Sequence, residues 1–520
     1  MRLTLVASLL GAGIVGAQSP YPVPQFSDLS RVSRLTEAAR GAAVQLDEAR
    51  TTLHAPGLSW GIVVDGAVVA SGGSGVARIG DTTPVDDDTV FRIASMTKSF
   101  TALAILALRD EGRLSLDEPA GKYVPELSTM PLPTKDAPAI TIRHLLTHSA
   151  GFPEDNPWGD RQLAQLPGTL TSWIRAGLPF STSPGTAYEY SNYGFALLGQ
   201  IVARASGMPY RDFVSTRILR PLGMSSTYWD PADVPSGRRA YGYRWNGTSW
   251  DDEIPLADGS FGAMGGLLTS GRDLGRYIAF MLSAWPPRDD EDRGPVKRSS
   301  VREMQQGQRF SSLTAKPRSE SAPMTASTRA YAYGLASTSD CSYRFLVSHG
   351  GGLPGFGSNM TWLPEYGVGV YVMANVTYAG PAAAARAVLD RLNATGALQP
   401  RLVHASPALL GARERVVSLV NGWKDETLTG VAADNLLLDK SLATRRDELT
   451  ALHERLGACR VAGDIDAENW LRGRFRLACE RGTLDATVTL APTTPPRVQY
   501  LSFSEGQGAG LPPASTPCTP

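Results

Sequence analysis

The sequence predicts an α+β chain. A large first domain is expected to carry one antiparallel sheet flanked by helices, with a helical region inserted and a small α+β domain after it. Three observations predict this. Strand-like runs come early, at residues 58–64 and 67–70, and return late, at 331–335, 344–348, 359–363 and 368–374. Helical patterns fill the stretch between them, most clearly at 101–108 and 193–206. Beyond residue 395 the composition changes, and two helical stretches precede four further strand candidates. The early and late strands of the first part are therefore expected to share a sheet.

Residues 1–17 read as a secretory signal. Arg2 supplies the positive charge, 3–16 are a short apolar run, and Val15-Gly16-Ala17 places small residues before a cut ahead of Gln18. The run is short for a membrane span, and no later segment is apolar enough to be one. The expectation is export to the periplasm or the medium, with an uncleaved anchor as the alternative. Residues 28–53 look helical, with Leu29, Val32, Leu35, Val44 and Leu46 as apolar positions. Asp65-Gly66 is a strong two-residue hairpin turn between the first two strands. Arg109-Asp110-Glu111-Gly112 stops the 101–108 helix, residues 113–182 are mostly loop and short helix, and Gly207 closes the 193–206 helix. A glycine-rich turn at 262–268 leads into a helix near 273–282.

Residues 284–330, rich in charge, Pro and Ser, read as a long surface excursion with a helix near 301–306. After the late strands, 381–392 is a closing helix with Pro381 at its first position. The first domain thus spans 18–395 and is followed by a linker at 396–407 and a second domain at 408–510. In that domain 408–423 and 439–456 are helical, and 458–464, 472–480, 483–491 and 497–503 are strands. Helices followed by a curved sheet are similar in order to a cystatin- or NTF2-like module. Residues 511–520 look like a flexible tail.

The 520 residues carry 50 basic and 50 acidic side chains, which argues against a nucleic-acid partner or a polybasic membrane surface. Cys459 and Cys479 flank a strand-like region and are candidates to bridge neighbouring strands. Cys341 and Cys518 are left to pair with each other or stay free.

The chemistry starts at Ser95 and Lys98, the only Ser-x-x-Lys in the chain. Residues three apart on a helix share a face. The Ser95 hydroxyl then stands at a helix N-terminus with the Lys98 amine one turn on. A serine hydroxyl needs a base to become a nucleophile, and lysine serves when burial or a nearby cation lowers its pKa. Alone, the tetrad reads more simply as a capping serine and a solvated lysine. Two later motifs reverse that. In Tyr190-Ser191-Asn192 the alternate residues of an extended loop face one way, so the phenol and the amide share a cleft. There the phenol, its ionisation eased by the lysine, would shuttle a proton. In His349-Gly350-Gly351-Gly352 the glycines allow a substrate to lie against a strand edge, and the Gly352 N–H joins that of Ser95 as an oxyanion hole.

Ser-x-x-Lys, Tyr-x-Asn and His-Gly-Gly in this order resemble the penicillin-recognising serine hydrolases, in particular the class C β-lactamase-like group. That group contains β-lactamases, D-alanyl-D-alanine carboxypeptidases, D-amino-acid peptidases and esterases. The resemblance covers roughly 27–393, and the stretches 140–151 and 265–270 also match. It implies a β-lactamase/transpeptidase-like fold and an exported hydrolase working through an acyl-enzyme on Ser95. Lys98 is then the base or its partner. Tyr190 is the general base and proton relay, and Asn192 orients Lys98 and substrate. His349, Gly351 and Gly352 bind substrate. The implied substrate is a small molecule or peptide cleaved at an amide or ester bond, with no cofactor; the oligomeric state is open.

Two departures stand out. His349 occupies the place of the lysine that attracts a carboxylate in many relatives, and Gly350 that of a hydroxyl-bearing residue. Both weaken the case for a dedicated β-lactamase, which stays as an alternative beside a non-catalytic penicillin or wall-peptide sensor. His144 and His148 have metal-like spacing on an expected helix, but no glutamate lies between them, so they read as structural and no metal is expected. Asp86-Asp87-Asp88 reads as a solvated turn.

Overall fold

The computed structural model describes residues 21–317, 324–506 and 511, so the signal-like residues and nearly all of the expected tail lie outside the described residues. The chain divides into two compact units, one over 26–401 and the other over 402–506 with 21–25.

In the first unit β1 (Gly57–Val64) and β2 (Ala67–Gly75) form the hairpin, with both turn residues at positive φ: Asp65 at 48° and Gly66 at 85°. Three short strands, β3 (Val90–Arg92), β4 (Thr227–Tyr228) and β7 (Leu268–Ser270), make a small sheet. A separate ribbon pairs β5 (Tyr243–Trp245) with β6 (Trp250–Asp252). The remaining strands are β8 (Arg309–Pro317), β9 (Met324–Tyr331), β10 (Ala336–Asp340), β11 (Leu346–Leu353), β12 (Phe356–Leu363) and β13 (Val368–Ala374). They join the hairpin in one eight-stranded antiparallel sheet of order β2-β1-β13-β12-β11-β10-β9-β8.

The sheet is covered on both faces, so β1, β12 and β13 are buried along their whole length. Leu58, Trp60, Ile62 and Val64 pack with the flanking helices Arg31–Arg40, Ala42–Thr52 and Ala382–Ala394. Val63, Met360, Trp362, Tyr371 and Met373 face the other core, which holds the helices Thr97–Asp110, Asn192–Ser206 and Gly271–Ser283.

Three expectations are corrected. The 284–330 stretch is not a mere surface excursion: beyond the helix Arg298–Glu303 it supplies β8 and β9, which widen the sheet. Phe310 and Leu313 of β8 are exposed, so this edge lacks the apolar alternation that marks a half-buried strand. Of the expected strand 331–335 only Tyr331 is in a strand, as the last residue of β9; 332–335 are the turn to β10, with Gly334 at φ 65° and no room for a Cβ, which would stand 2.5 Å from the Lys98 carbonyl oxygen. In the N-terminal helices only Leu35 and Leu46 of the expected apolar positions are buried; Leu29, Val32 and Val44 are exposed.

The second unit places the helices Pro407–Asn421 and Leu442–Leu456 with β14 (Cys459–Asn469), β15 (Arg472–Cys479), β16 (Gly482–Leu490) and β17 (Val498–Glu505). These strands form a four-stranded antiparallel meander. Leu409, Val416 and Leu419 pack with Phe475, Leu477, Leu484 and Val488 in its core. Cys459 and Cys479 stand opposite each other in register and are joined by a disulfide. Cys341, in the first unit, is also disulfide-bonded.

Candidate active site

Ser95 sits on a single 3-10 turn, Ala94–Met96, that runs into the helix Thr97–Asp110. Ala94 before it has φ 50°, a left-handed conformation rare for a side-chain-bearing residue. The turn is held from several sides. Ile93 N–H donates to the Leu267 carbonyl at 3.0 Å, Ser358 Oγ donates to the Ile93 carbonyl at 3.0 Å, and Leu267 N–H donates to Thr97 Oγ1 at 3.2 Å.

One turn on, Lys98 is fully buried. Its Nζ lies 3.0 Å from Ser95 Oγ, 2.7 Å from Asn192 Oδ1 and 3.0 Å from the Met264 carbonyl oxygen. Burial lowers its pKa, against the opposing pull of Asp160, Asp155 and Glu154.

Asn192 opens the helix Asn192–Ser206, capped by Ser191, whose hydroxyl accepts from Gly194 N–H at 3.2 Å. The Asp155 carboxylate accepts the backbone N–H groups of Asn192 at 2.7 Å and Tyr193 at 2.8 Å. Asn192 Nδ2 donates to Asn156 Oδ1 at 2.6 Å, which leaves Oδ1 facing Lys98. Loop and helix N-terminus thus fix the amide from behind.

The Tyr190 ring centroid is 4.9 Å from Lys98 Nζ. The expected easing of its ionisation by Lys98 is not found. Burial holds the phenol well above its ordinary value, and only a hydrogen bond with Ser95 works the other way. Tyr190 is therefore a neutral phenol at rest.

His148 packs against Tyr190 with centroids 4.2 Å apart and accepts the Ser191 N–H on Nδ1 at 3.0 Å. It has φ 52° and lies beyond the short helix Ile142–Leu146 that carries His144, so the two histidines do not share a helix face. Among the described residues no cluster of potential metal ligands occurs.

His349 is buried on β11. Its Nδ1 lies 2.5 Å from the Gly350 carbonyl, which can only accept, and its Nε2 is 3.0 Å from the Tyr331 hydroxyl. Burial and the Lys98 charge push its pKa down to about 3.

Gly351 lies against the Ser95 turn: a Cβ there would stand 2.2 Å from the Ile93 carbonyl oxygen and 3.1 Å from Ala94 Cβ. Ser95, Tyr190, His349 and Gly352 line one cleft of about 640 Å³. Sequence reasoning did not single out its other polar walls: Glu154 and Asp160 from the loop after 151, Tyr188, Arg329 and Tyr331 of β9, and Tyr378. Only the run Glu154-Asp155-Asn156, next to a matching stretch, offered a signal in the sequence.

A serine beside a buried lysine, an amide-bearing helix start and a glycine strand edge together define the serine-hydrolase-like site of a β-lactamase/transpeptidase-like fold. The chain belongs to the Beta-lactamase family, whose model matches residues 42–395. It is 31% identical to Protein flp of Staphylococcus aureus (strain COL) over 328 residues, 62% of this chain and 60% of that one. It is also 31% identical to the D-alanyl-D-alanine-carboxypeptidase/endopeptidase AmpH of Escherichia coli (strain K12) over 226 residues, 43% of this chain and 57% of that one. The chain thus spans about 60% of the length of the curated relatives it matches. In structure it is similar to the octameric penicillin-binding protein homologue from Pyrococcus abyssi. The TM-score is 0.56 at 23% identity, covering 87% of this chain and 91% of that one. Among the described residues no helix is long and apolar enough to cross a membrane.

Proposed function

We propose that the chain is an exported serine hydrolase that cleaves an amide or peptide bond through an acyl-enzyme on Ser95. The observation that carries this reading is the buried Lys98 amine, 3.0 Å from Ser95 Oγ and 2.7 Å from Asn192 Oδ1. The Asn192 and Met264 oxygens only accept, so they hold two of its hydrogens. The third direction, toward Ser95, carries the lone pair in the neutral amine, which burial favours.

Lys98 takes the Ser95 proton as Oγ bonds to the carbonyl carbon, and the carbonyl electron pair moves onto oxygen between the Ser95 and Gly352 N–H groups. The carbon–nitrogen bond then breaks. Tyr190 gives its hydroxyl proton to the departing amine and regains one from Lys98. Water attacks the Ser95 ester, Lys98 receives the water proton, and it returns to Oγ as the acid leaves. In this scheme Tyr190 starts as an acid, in keeping with its raised pKa.

An amide substrate is supported by the carboxypeptidase/endopeptidase activity for which AmpH is named. A neutral His349 supports a peptidase or esterase over an efficient β-lactamase. Export is supported by the Cys459–Cys479 disulfide, which persists in oxidising compartments.

Intact mass of the protein with benzylpenicillin over time, with Ser95→Ala as control, tests the acyl-enzyme, alongside turnover of peptide amides. A Ser95-dependent adduct together with peptide turnover is expected. Turnover that survives Ser95→Ala overturns the reading. Binding with no turnover of any amide or ester turns it into that of a wall-peptide sensor.

A further inference from the structure

β11 borders the cleft from residue 349 to residue 352, a span of roughly 10 Å. Its two ends meet different chemistry. At the 349 end stand Tyr331, bonded to His349, and Tyr190, whose centroid is 6.5 Å from that of His349. At the 352 end stands Tyr378, 2.9 Å from where a Gly352 Cβ would be, and its hydroxyl donates to Asp160 Oδ2 at 3.2 Å.

Asp160 is the unexplained group. It is 3% exposed, it lines the cleft with Ser95, and its second oxygen, Oδ1, has no hydrogen-bond partner among the described residues. An unpartnered buried carboxylate oxygen is costly. Glu154 lines the same cleft, and its carboxylate accepts from Asn156 Nδ2 on Oε1 at 3.0 Å. The carboxylates of Glu154 and Asp155 raise the Asp160 pKa further above its burial shift, while Lys98 and Tyr378 oppose.

We propose that Asp160, supported by Glu154, is an ammonium-binding subsite, and that the substrate carries a free protonated amine on the acyl side of the bond that breaks. The side follows from the mechanism proposed above, on which this inference rests. The leaving group departs toward its proton donor, Tyr190, at the 349 end. The acyl part therefore extends toward the 352 end, where Asp160 waits. The ligand class is an amino-acid amide or a peptide with a free N-terminus, cleaved after its first residue.

The test uses the p-nitroanilides of D- and L-alanine and their N-acetyl forms. It adds calorimetric binding of D- and L-alaninamide and their N-acetyl forms to the Ser95→Ala protein. Wild type is expected to prefer at least one free amine over its acetylated form. Asp160→Asn is expected to raise KM for that amine by roughly 10–100-fold and to leave the acetylated form within about 3-fold. Glu154→Gln, which removes the supporting charge and leaves Asp160 in place, should lower the preference by a smaller factor and serves if Asp160→Asn does not fold; an unchanged preference there would overturn the pairing of the two carboxylates. Ser95→Ala should bind the free alaninamide more tightly than its acetylated form, an advantage lost when Asp160→Asn is added.

Equal losses on both substrates mean that Asp160 acts only through Lys98 and overturn the subsite. So does equal binding of free and acetylated alaninamide. Amine-selective binding in Ser95→Ala, with no Ser95-dependent turnover in wild type, keeps the subsite and overturns the hydrolase reading instead.

Discussion

Tyr331 donates its hydroxyl proton to His349 Nε2 across 3.0 Å. The direction follows from the other ring nitrogen: Nδ1 must carry the hydrogen that the Gly350 carbonyl accepts at 2.5 Å, so Nε2 is left with a lone pair. Both ring nitrogens are engaged, and the imidazole brings no positive charge to the place where many relatives hold a lysine.

His349→Lys is therefore expected to speed acylation by benzylpenicillin about tenfold or more, by giving its carboxylate a cation. The rate of appearance of the Ser95 adduct, measured by mass, reads this out. An unchanged rate would mean that carboxylate attraction at this position does not limit recognition.

The pH profile should carry inflections from Asp160, which burial raises to about 6, and from Lys98, and none from His349. His349, with its pKa near 3, stays neutral from pH 5 to 9. In the proposed mechanism Lys98 acts in its neutral form; burial lowers its pKa, so activity is expected to rise with pH, with the inflection below the ordinary lysine value. kcat/KM measured from pH 5 to 10 tests the sign; a rise that begins only near pH 10 would contradict it. Lys98→Arg, which stays charged throughout, should lose roughly 10²–10⁴-fold in kcat.

Gly351 and Gly350 should respond oppositely to a methyl group. At 351 the new carbon meets the Ile93 carbonyl at 2.2 Å and Ser358 Oγ at 2.3 Å, so the strand must move off the Ser95 turn. Gly351→Ala should cost about 10²-fold or more in kcat, as when an oxyanion donor is misplaced. At 350 the nearest approach is wide, 3.7 Å to the Ser358 carbonyl oxygen, and Gly350→Ala should retain near-normal activity. Circular dichroism of both variants separates a local shift from misfolding.

Removing the Cys459–Cys479 bridge with a double Ala substitution should destabilise the 402–506 unit by ~3 kcal/mol, the loop-closure value for a separation of 20 residues. Denaturant unfolding of the full chain, followed by a probe in that unit, gives the number.

Much of this arrangement was legible in residue order. Ser95, Lys98, Tyr190 and Asn192 each sit at a helix start or in the loop before one, and such punctuation is written locally. The apolar run at 368–374 and the Asp65-Gly66 turn marked strands for the same reason. What was hidden depends on tertiary neighbours. β8 and β9 are edge strands of polar composition, and they bring Arg329 and Tyr331 to the cleft. Asp160 and Tyr378 meet across a long stretch of chain with no motif at either end. The Tyr190 pKa follows from burial, and nothing local announces how deep a loop residue will lie.

β1 is paired along its length with β13, from Leu58 opposite Ala374 to Val64 opposite Val368. A ribosome releases the first of these strands long before the second. Until the later strand arrives, a largely apolar strand has one edge open and nowhere to dock, and contacts so remote in sequence form slowly. The first unit is thus expected to fold only after most of its chain has been made. Fragments ending before residue 368 should aggregate instead of forming a smaller, working protein.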